Sequence, residues 1–294
     1  MKVLIHNDME LWDFMTDGLK SRKDFIDIPL NRYCNVFQMA CRKKFWKQHL
    51  PSCFLLGGEL RKILKKLKPG DEVIVSAYTH PALFHAIIDT VNEGVSVHLW
   101  MWNPVKDNQR FIYGINEVKK IGVVCHSFDE DDCKKYGMQL HDSFYNMHTH
   151  AKQEQIDTDF YFLGAAKDRG NAVINAEKEL ADYKTLFVMP SSLPEYITYA
   201  ENIRNIMRSR CIVEILQEQQ HDMTLRPLEA IAFRKKLLTN NPSIIEYPFY
   251  NPQNIFVLGK DDIQQLTTFL SLPYIDVDEN TVERYDVNTW FNSI

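Results

Sequence analysis

The residues best suited to chemistry gather in one stretch of the second half of the chain, residues 211–241. An apolar run at 211–216 predicts a strand, and after a polar loop Thr224 is placed to cap a helix. Arg226 adds a permanent cation whose forked donors suit phosphate or carboxylate. Glu229, expected in the first turn of that helix, can accept hydrogen bonds from sugar hydroxyls. Open α/β sheets bind ligands where their strands end, so this pattern predicts a nucleotide-sugar site in outline.

A second group of polar residues follows a predicted strand at 159–164. Gly164, Lys167 and Arg169 stand where that strand gives way to a helix. Backbone amides at a helix start, with two cations beside them, can hold a diphosphate. An ordinary turn with solvated charges is the alternative interpretation of the same residues. Both groups follow strands, so in one parallel sheet they would lie at the same edge.

The elements that must position these residues follow from alternating apolar strands and amphipathic helices. Strands are predicted at 2–6, 71–78, 95–101, 122–127, 159–164, 185–189, 211–216, 236–239 and 255–258. Helices are predicted at 31–47, 59–68, 81–92, 106–120, 169–182, 195–207, 225–234 and 261–270. Alternation at the spacing of βαβ units predicts an α/β fold with parallel sheets. The pattern lapses at 128–158, which we interpret as an interdomain linker with surface structure.

The composition is that of an ordinary globular protein with room for two domains. The 294 residues are 45% hydrophobic and 25% charged, with a formal net charge of −5. That charge argues against a general nucleic-acid binder. No window approaches the ~18 apolar residues of a membrane span, and the amino terminus does not resemble a signal peptide, so a cytoplasmic location is expected. The six cysteines form no CxxC pair and predict reduced thiols.

Residues 224–259, TLRPLEAIAFRKKLLTNNPSIIEYPFYNPQNIFVLG, resemble the carboxyl-terminal domain of bacterial lipopolysaccharide and capsule glycosyltransferases of the GT-B class. The resemblance extends back to residues 159–169 (DFYFLGAAKDR) and forward to YDVNTWF, and so covers roughly the second half of the chain. One departure lies just before Thr224. Relatives usually have small residues there, whereas this chain has His221 and Asp222.

The resemblance implies two Rossmann-like domains facing a cleft, residues 1–150 for the acceptor and residues 151–294 for a nucleotide-sugar donor. It implies a glycosyltransferase that uses no metal or other cofactor. The acceptor would be lipopolysaccharide, capsule or another surface glycan, as a free or lipid-linked saccharide. It also favours the diphosphate interpretation of the second group. The donor-binding residues would then be Gly164, Lys167, Arg169, Glu214, Thr224, Arg226 and Glu229.

The catalytic base is sought in the first domain, where inverting GT-B enzymes usually supply a His, Asp or Glu to take the acceptor's proton. His80 follows the predicted strand at 71–78, and Asp8 follows the strand at 2–6. Both are candidates because a strand end would bring them to the cleft. An enzyme that retains configuration needs no such base.

Two other functions fit the same fold, because fold alone does not determine activity. One is a sialyltransferase-like or phosphoglycosyl enzyme that uses a CMP or CDP donor. The other is a non-catalytic assembly factor with a GT-B fold, for which His221 and Asp222 in place of small residues would be the sign.

Glu214 lies in an apolar strand, where an unpaired carboxylate is unfavourable by several kcal/mol. One interpretation pairs it with Arg208 or Arg210. The other has it contact the donor or brace the following loop. The residues alone leave both open.

Acidic and histidine clusters are interpreted as surface features, and no metal site is expected. Asp129-Glu130-Asp131 matches the acidic string that binds metal in GT-A enzymes, but a solvated loop in the linker is preferred. His141, His148 and His150 have no spacing typical of zinc ligands.

Residues 58–68, GELRKILKKLK, predict a basic amphipathic helix. Such a helix can lie on an anionic bilayer, which would make the protein peripheral at the inner membrane face. The commoner alternative is a domain helix that packs its apolar stripe on the sheet and keeps its lysines in water. Upstream, Arg42, Lys43, Lys44 and Lys47 alternate with Phe45 and Trp46.

Overall fold

The protein divides into two compact units, Met1–Asp142 (unit 1) and Ser143–Ile294 (unit 2). The computed structural model describes residues 1–7, 9–76, 78–106, 108–165, 169–190, 197–217 and 223–294. Each unit is an α/β structure built on one parallel sheet, with six strands in unit 1 and five in unit 2. The predicted α/β class with parallel sheets is confirmed, and each unit is consistent with a Rossmann-like domain.

Unit 1 has the strand order β2-β1-β3-β4-β5-β6. Its strands are β1 (Lys2–His6), β2 (Phe25–Pro29), β3 (Glu72–Ser76), β4 (Ser96–Trp100), β5 (Val124–Ser127) and β6 (Gln139–Leu140). Its helices are α1 (Glu10–Met15), α2 (Val36–Lys44), α3 (Gly58–Leu64), α4 (Pro81–Ile88), α5 (Gln109–Lys120) and α6 (Glu130–Tyr136). Val73, Ile74 and Val75 of β3 are all fully buried. Such a run is typical of a parallel strand covered on both faces.

Unit 2 has the strand order β11-β10-β9-β7-β8. Its strands are β7 (Thr158–Leu163), β8 (Thr185–Val188), β9 (Ser209–Glu214), β10 (Lys236–Thr239) and β11 (Ile255–Val257). Its helices are α7 (Gly170–Glu179), α8 (Tyr199–Arg208), α9 (Leu225–Ala232), α10 (Leu266–Ser271), α11 (Glu279–Arg284) and α12 (Val287–Ser293). The side chains of Phe160, Phe162, Val213 and Leu238 belong to its core.

Both sheets place their first strand between their second and third strands. In unit 2, β7 pairs with β8 on one side and with β9 on the other. The chain therefore crosses the sheet in opposite directions from β7, and open α/β sheets bind their ligands at such a switch point, here the carboxyl ends of β7 and β9. The equivalent position in unit 1 lies at the ends of β1 and β3.

The nine predicted strands all occur, with ends that differ from the predicted ones by at most two residues, but several elements escaped prediction. β2, β6, α1, α6, α11 and α12 were not expected. The helix expected at 31–47 is shorter, because Asn35 begins α2 with a capping box that it forms with Gln38. The interval expected as a linker begins with α6 and β6, which belong to unit 1.

The basic segment at 58–68 packs in the core of unit 1. Leu60 and Leu64 are fully buried, and Leu67 is 2% exposed. The apolar stripe of α3 therefore faces the protein interior and does not form an exposed membrane-binding face. None of the helices in the described part of the chain is long and apolar enough to cross a membrane.

All six cysteines are free, as expected, but they differ in exposure. Cys41, Cys125, Cys133 and Cys211 are buried, whereas Cys53 is exposed. Burial raises the pKa of Cys125 to about 12, so that thiol stays protonated.

Candidate functional site

The carboxyl ends of β7 and β9 carry most of the residues predicted to bind a ligand. Gly164 follows β7, Glu214 ends β9, and Thr224 caps α9 by accepting a hydrogen bond from the backbone N–H of Arg226 over 3.1 Å. The structure thus brings together the two polar groups that the sequence separates by some sixty residues. Lys167 lies outside the described residues, as do His221 and Asp222 of the preceding loop.

Arg169 spans the gap between β7 and β9. Its Nε donates to the carbonyl of Ala165 over 3.0 Å, and its Nη1 donates to the carbonyl of Ile215 over 2.5 Å. A Cβ atom on Gly164 would lie 2.2 Å from Nη2 of Arg169. Gly164 is therefore needed for the guanidinium to pack over the end of β7.

Arg226 reaches the same strand end from α9. Its Nη2 donates to the carbonyl of Leu163 over 3.2 Å, and its Nη1 bonds to the carboxylate of Glu229. Although burial alone would lower the pKa of Arg226, the neighbouring Glu229 carboxylate raises it. The side chain remains 20% exposed. Arg169 and Arg226 thus place two permanent cations beside the last residues of β7.

Glu229 is fully buried and lies one turn deeper than expected, since α9 begins at Leu225 and Glu229 is its fifth residue. One oxygen accepts hydrogen bonds from Tyr199 Oη over 2.8 Å and from Asn202 Nδ2 over 3.1 Å. The other oxygen bonds to Arg226. With both oxygens held by protein donors, Glu229 orients Arg226, and direct binding of sugar hydroxyls by this carboxylate does not fit the geometry.

The contacts of Glu229 continue into a buried polar network. Tyr161 Oη donates to Asn202 Oδ1 over 3.0 Å, and the hydroxyls of Tyr145 and Tyr199 lie 2.7 Å apart. Burial raises the pKa of both Tyr145 and Tyr199 well above the usual value, so these phenols stay protonated. A fully connected network of this kind fixes side-chain positions. Sequence reasoning missed these four partners, because none of them lies near Glu229 in the chain.

Glu214 is 2% exposed and braces the start of α9. Its two oxygens accept hydrogen bonds from Thr224 Oγ1 over 2.5 Å and from Thr239 Oγ1 over 2.6 Å. Burial raises the pKa of Glu214. Of the two interpretations of Glu214, the pairing with Arg208 or Arg210 does not occur, because those cations bond to Asp157 and Asp159 at the opposite end of the strands.

In unit 1, His80 precedes α4 and lies beyond the end of β3. Its Nε2 accepts a hydrogen bond from Arg110 Nη2 over 2.9 Å, so Nδ1 carries the proton. Burial, together with the charges of Arg110 and Arg42, lowers the pKa of His80 to about 4. A neutral ring whose acceptor nitrogen is occupied is a poor match to a general base at neutral pH. Asp8, the other candidate base, lies outside the described residues.

Aromatic rings and cations surround His80, which sequence reasoning did not anticipate. The guanidinium carbon of Arg110 lies 4.7 Å from the centre of the Trp46 ring, and the Lys47 ammonium lies 4.2 Å from the Tyr113 ring. Gly114 permits this arrangement, because a Cβ atom there would lie 2.1 Å from the carbonyl oxygen of Thr79. Helix α5 can therefore approach the loop that carries His80.

The acidic string and the histidines, interpreted from the sequence as surface features, lie in different surroundings in the structure. Asp129 caps α6, accepting a hydrogen bond from Asp132 N over 2.7 Å, so the acidic string opens a helix and is not a linker loop. Within the described residues, one group of ligand atoms lies close together, those of His148, Glu283 and Asp286, all within 4.8 Å of one another. Asp286 already caps α12 and accepts from Met147 N, so its carboxylate serves the fold.

No family model matches the sequence, and no curated protein matches it either. Among solved structures, the chain is similar to one in the crystal structure of accessory secretory protein 1, 2 and 3 in Streptococcus pneumoniae. The two share 11% identity with a TM-score of 0.46, over 79% of this chain and 52% of that chain. The chain thus spans about half the length of the matched chain in that structure. A likeness at this level supports no conclusion about function.

Proposed function

We propose that the protein is a glycosyltransferase of the GT-B type, which transfers a sugar from a nucleotide-sugar donor without a metal. The acceptor would be a lipopolysaccharide, a capsule or another surface glycan. The observation that supports this most is the pair of guanidinium groups at the end of β7. Arg169 and Arg226 both donate to carbonyls of residues 163–165, at the edge where a parallel sheet binds its ligand.

In the proposed sugar transfer, these two cations stabilise the leaving group. The acceptor's hydroxyl oxygen forms a bond to the anomeric carbon, and the bond from that carbon to the donor diphosphate breaks. The diphosphate departs with the electron pair and gains negative charge, which Arg169 and Arg226 would neutralise. The proton of the acceptor hydroxyl would pass to water or to the departing diphosphate. A guanidinium carries five N–H groups, so Arg226 can bind a phosphate oxygen while it keeps its contacts to Glu229 and Leu163.

The remaining residues of the site would act as positioning residues. Glu229 holds the Arg226 guanidinium, and Glu214 holds Thr224 at the start of α9. Preorganised donors of this kind are effective because they need not rearrange when charge develops. Under this proposal the sugar is bound by groups other than the Glu229 carboxylate.

A thermal-shift screen tests the donor site. UDP-, GDP-, CMP- and TDP-sugars are added to the unmodified protein, to Arg226→Lys and to Arg204→Ala. We expect one nucleotide class to raise the melting temperature, because ligands that bind the native state stabilise it. Arg226→Lys should lose that shift, since lysine cannot make the forked contact. Arg204→Ala removes a surface arginine of α8 that pairs with Glu201 and should keep it. No shift with any of the sugars would count against the proposal.

The geometry of His80 favours one alternative, a non-catalytic assembly factor with a GT-B fold. The acceptor nitrogen of His80 is occupied by Arg110, and the pKa of His80 lies far below neutrality, so this ring is a poor catalytic base. Release of nucleoside diphosphate from the donor that binds separates the two functions. Turnover above the rate of the Arg226→Lys variant supports the transferase, and binding without turnover supports the assembly factor. A shift with CMP or CDP donors alone would instead favour the sialyltransferase-like or phosphoglycosyl enzyme.

A further inference from the structure

Helix α2 is packed with its polar side chains inward. Gln38 is 7% exposed and Arg42 is 5% exposed. Gln38 Nε2 donates to the carbonyls of Cys53 and Leu56 over 3.0 and 2.8 Å. Arg42 Nη1 donates to the carbonyl of Leu55 over 3.0 Å. Hydrogen bonds to the backbone of residues 53–56 therefore attach this helix to unit 1.

The outward face of α2 is apolar at its amino-terminal end. Val36 is 77% exposed and Phe37 is 58% exposed. Ala40, one turn later, is also exposed. Phe54 of the adjoining segment is 41% exposed, and its ring centre lies 6.0 Å from that of Phe37. Large apolar side chains this exposed and this close together mark an interaction surface more often than isolated ones do.

The same face becomes basic toward its carboxyl-terminal end. Lys43 and Lys44 are exposed, and so is Lys47, which follows the end of the helix. In the part of the chain that the structure describes, no carboxylate lies within 4.0 Å of their ammonium groups. The whole chain carries a net charge of −5, so this local positive charge differs from the rest of the molecule. We call Val36, Phe37, Ala40 and Phe54, with these three lysines, the α2 patch.

We propose that the α2 patch docks on the surface of an anionic lipid bilayer. Its apolar end would enter the boundary between headgroups and acyl chains, and its lysines would lie among the lipid phosphates. A second copy of the chain is a poorer occupant. A twofold dimer would place the patch against itself, and the patch contains no carboxylate that could pair with its three lysines. The contact is peripheral, and it is independent of the proposed sugar transfer.

The proposal assigns membrane contact to α2 and not to α3. In α3 the leucines are buried in the core of unit 1, and the exposed side chains there are charged, those of Glu59 and Lys62. Lysines without adjacent apolar side chains give weak, salt-sensitive attraction. The α2 patch has both components, and α3 supplies a matched control on the same unit.

Vesicle flotation tests the proposal with the full chain. The vesicles contain phosphatidylcholine alone or phosphatidylcholine with phosphatidylglycerol. We expect binding to the anionic vesicles that falls as salt is added. The double variant Lys43→Glu/Lys44→Glu should bind at least roughly 25-fold more weakly, because each lysine near an anionic surface is worth about five-fold. Lys65→Glu/Lys66→Glu, the same charge change on exposed lysines directly after α3, should bind nearly as the unmodified protein does.

Phe37→Ser tests the apolar end of the patch. Because Phe37 is mostly exposed, the melting temperature of the variant should equal that of the unmodified protein, while its binding to vesicles should fall. Failure of the unmodified protein to bind anionic vesicles would overturn the proposal, as would equal losses in the α2 and α3 charge variants. Concentration-dependent self-association without lipid, abolished by Phe37→Ser, would overturn it in favour of a protein interface.

Discussion

The carboxyl edges of the two sheets hold the same topological position but are filled with different chemistry. In unit 2, two arginines donate to backbone carbonyls of the strand ends, and two buried carboxylates hold their surroundings in place. In unit 1, a neutral imidazole accepts from an exposed arginine among aromatic rings. A repeated strand order thus fixes where a site can form, whereas the side chains decide whether it carries permanent charge.

The two units also hold opposite kinds of buried titratable group. Unit 1 buries histidines, and burial favours their neutral form. Unit 2 buries Glu214, and burial favours its protonated form. Lowering the pH therefore destabilises the fold where histidines are buried in their neutral form, and it favours burial of Glu214 in its protonated form.

The largest effect is expected where the buried charge of unit 2 is left unpaired. Glu229→Ala removes the counter-charge of Arg226 and a partner of Tyr199 and Asn202. Loss of one partner of a buried ion pair typically destabilises by about 3–5 kcal/mol. Urea unfolding followed by hydrogen exchange in unit 2 measures this. Glu201→Ala breaks an exposed pair with Arg204 and should change stability little. Equal effects of the two variants would contradict the buried-network interpretation.

Acidification should lower the stability of unit 1 more than that of unit 2. Ring nitrogens of His98 and His126 lie 2.9 Å apart on β4 and β5, and burial lowers the pKa of His126 to about 3 from 6.5. The contribution of the neutral His126 ring to the free energy of unfolding is fully present above pH 6.5 and is lost as the pH falls toward 3. Unit 1 should lose about 3 kcal/mol through His126 by about pH 4. Asp132, whose pKa is raised by burial to about 6, acts in the opposite direction.

Hydrogen exchange at several pH values, corrected for intrinsic rates, measures the opening free energy of each unit. Unit 1 amides should become less protected below pH 6.5, and unit 2 amides should change less. His126→Gln should flatten the response of unit 1. An unchanged slope in that variant would assign the pH dependence to other groups.

Two glycines sharpen the comparison further. In Gly114→Ala the new Cβ would lie 2.1 Å from a backbone oxygen of Thr79, which has no easy way to move, so about 1–3 kcal/mol of stability should be lost. In Gly164→Ala the obstacle is the end of the flexible Arg169 side chain, at 2.2 Å. We expect a smaller loss of stability there and a larger loss of nucleotide-sugar binding. Thermal melts with and without donor compare both variants.

The smallest effect concerns the helix caps. Asn108 caps α5 in unit 1, and Thr224 caps α9 in unit 2. Asn108→Ala should lower stability by about 1 kcal/mol, the usual value for a lost cap. Thr224→Ala should lower it more, because Glu214 then also loses a donor. Urea unfolding compares the two, and Thr224→Ser should restore most of the difference.

The sequence was most informative where a local rule acts. Thr224 caps its helix as expected, because capping depends on residues two or three positions away. β10 lies at the predicted residues for the same reason, since its apolar run is bounded by polar neighbours. Helix α6 was missed, because its acidic run has no helical periodicity, and only the cap at Asp129 indicates it.

The partners of the buried carboxylates could not be predicted. Glu214 bonds to Thr239, 25 residues away, and Tyr199 bonds to Tyr145, 54 residues away. Such pairs depend on tertiary packing, which residue types alone do not reveal. The order of the strands decides which distant side chains meet, and that order was not deduced from the pattern.

The inverted packing of α2 has a consequence for how mutations would be interpreted. In a selection for folded protein, substitutions at Gln38 and Arg42 would be eliminated, whereas substitutions at Val36 and Phe37 would pass unnoticed. Hydrophobicity and importance for folding are thus reversed in this helix. A survey that scores abundance alone would call its most apolar residues dispensable. Only a second survey that scores cellular function would detect their contribution.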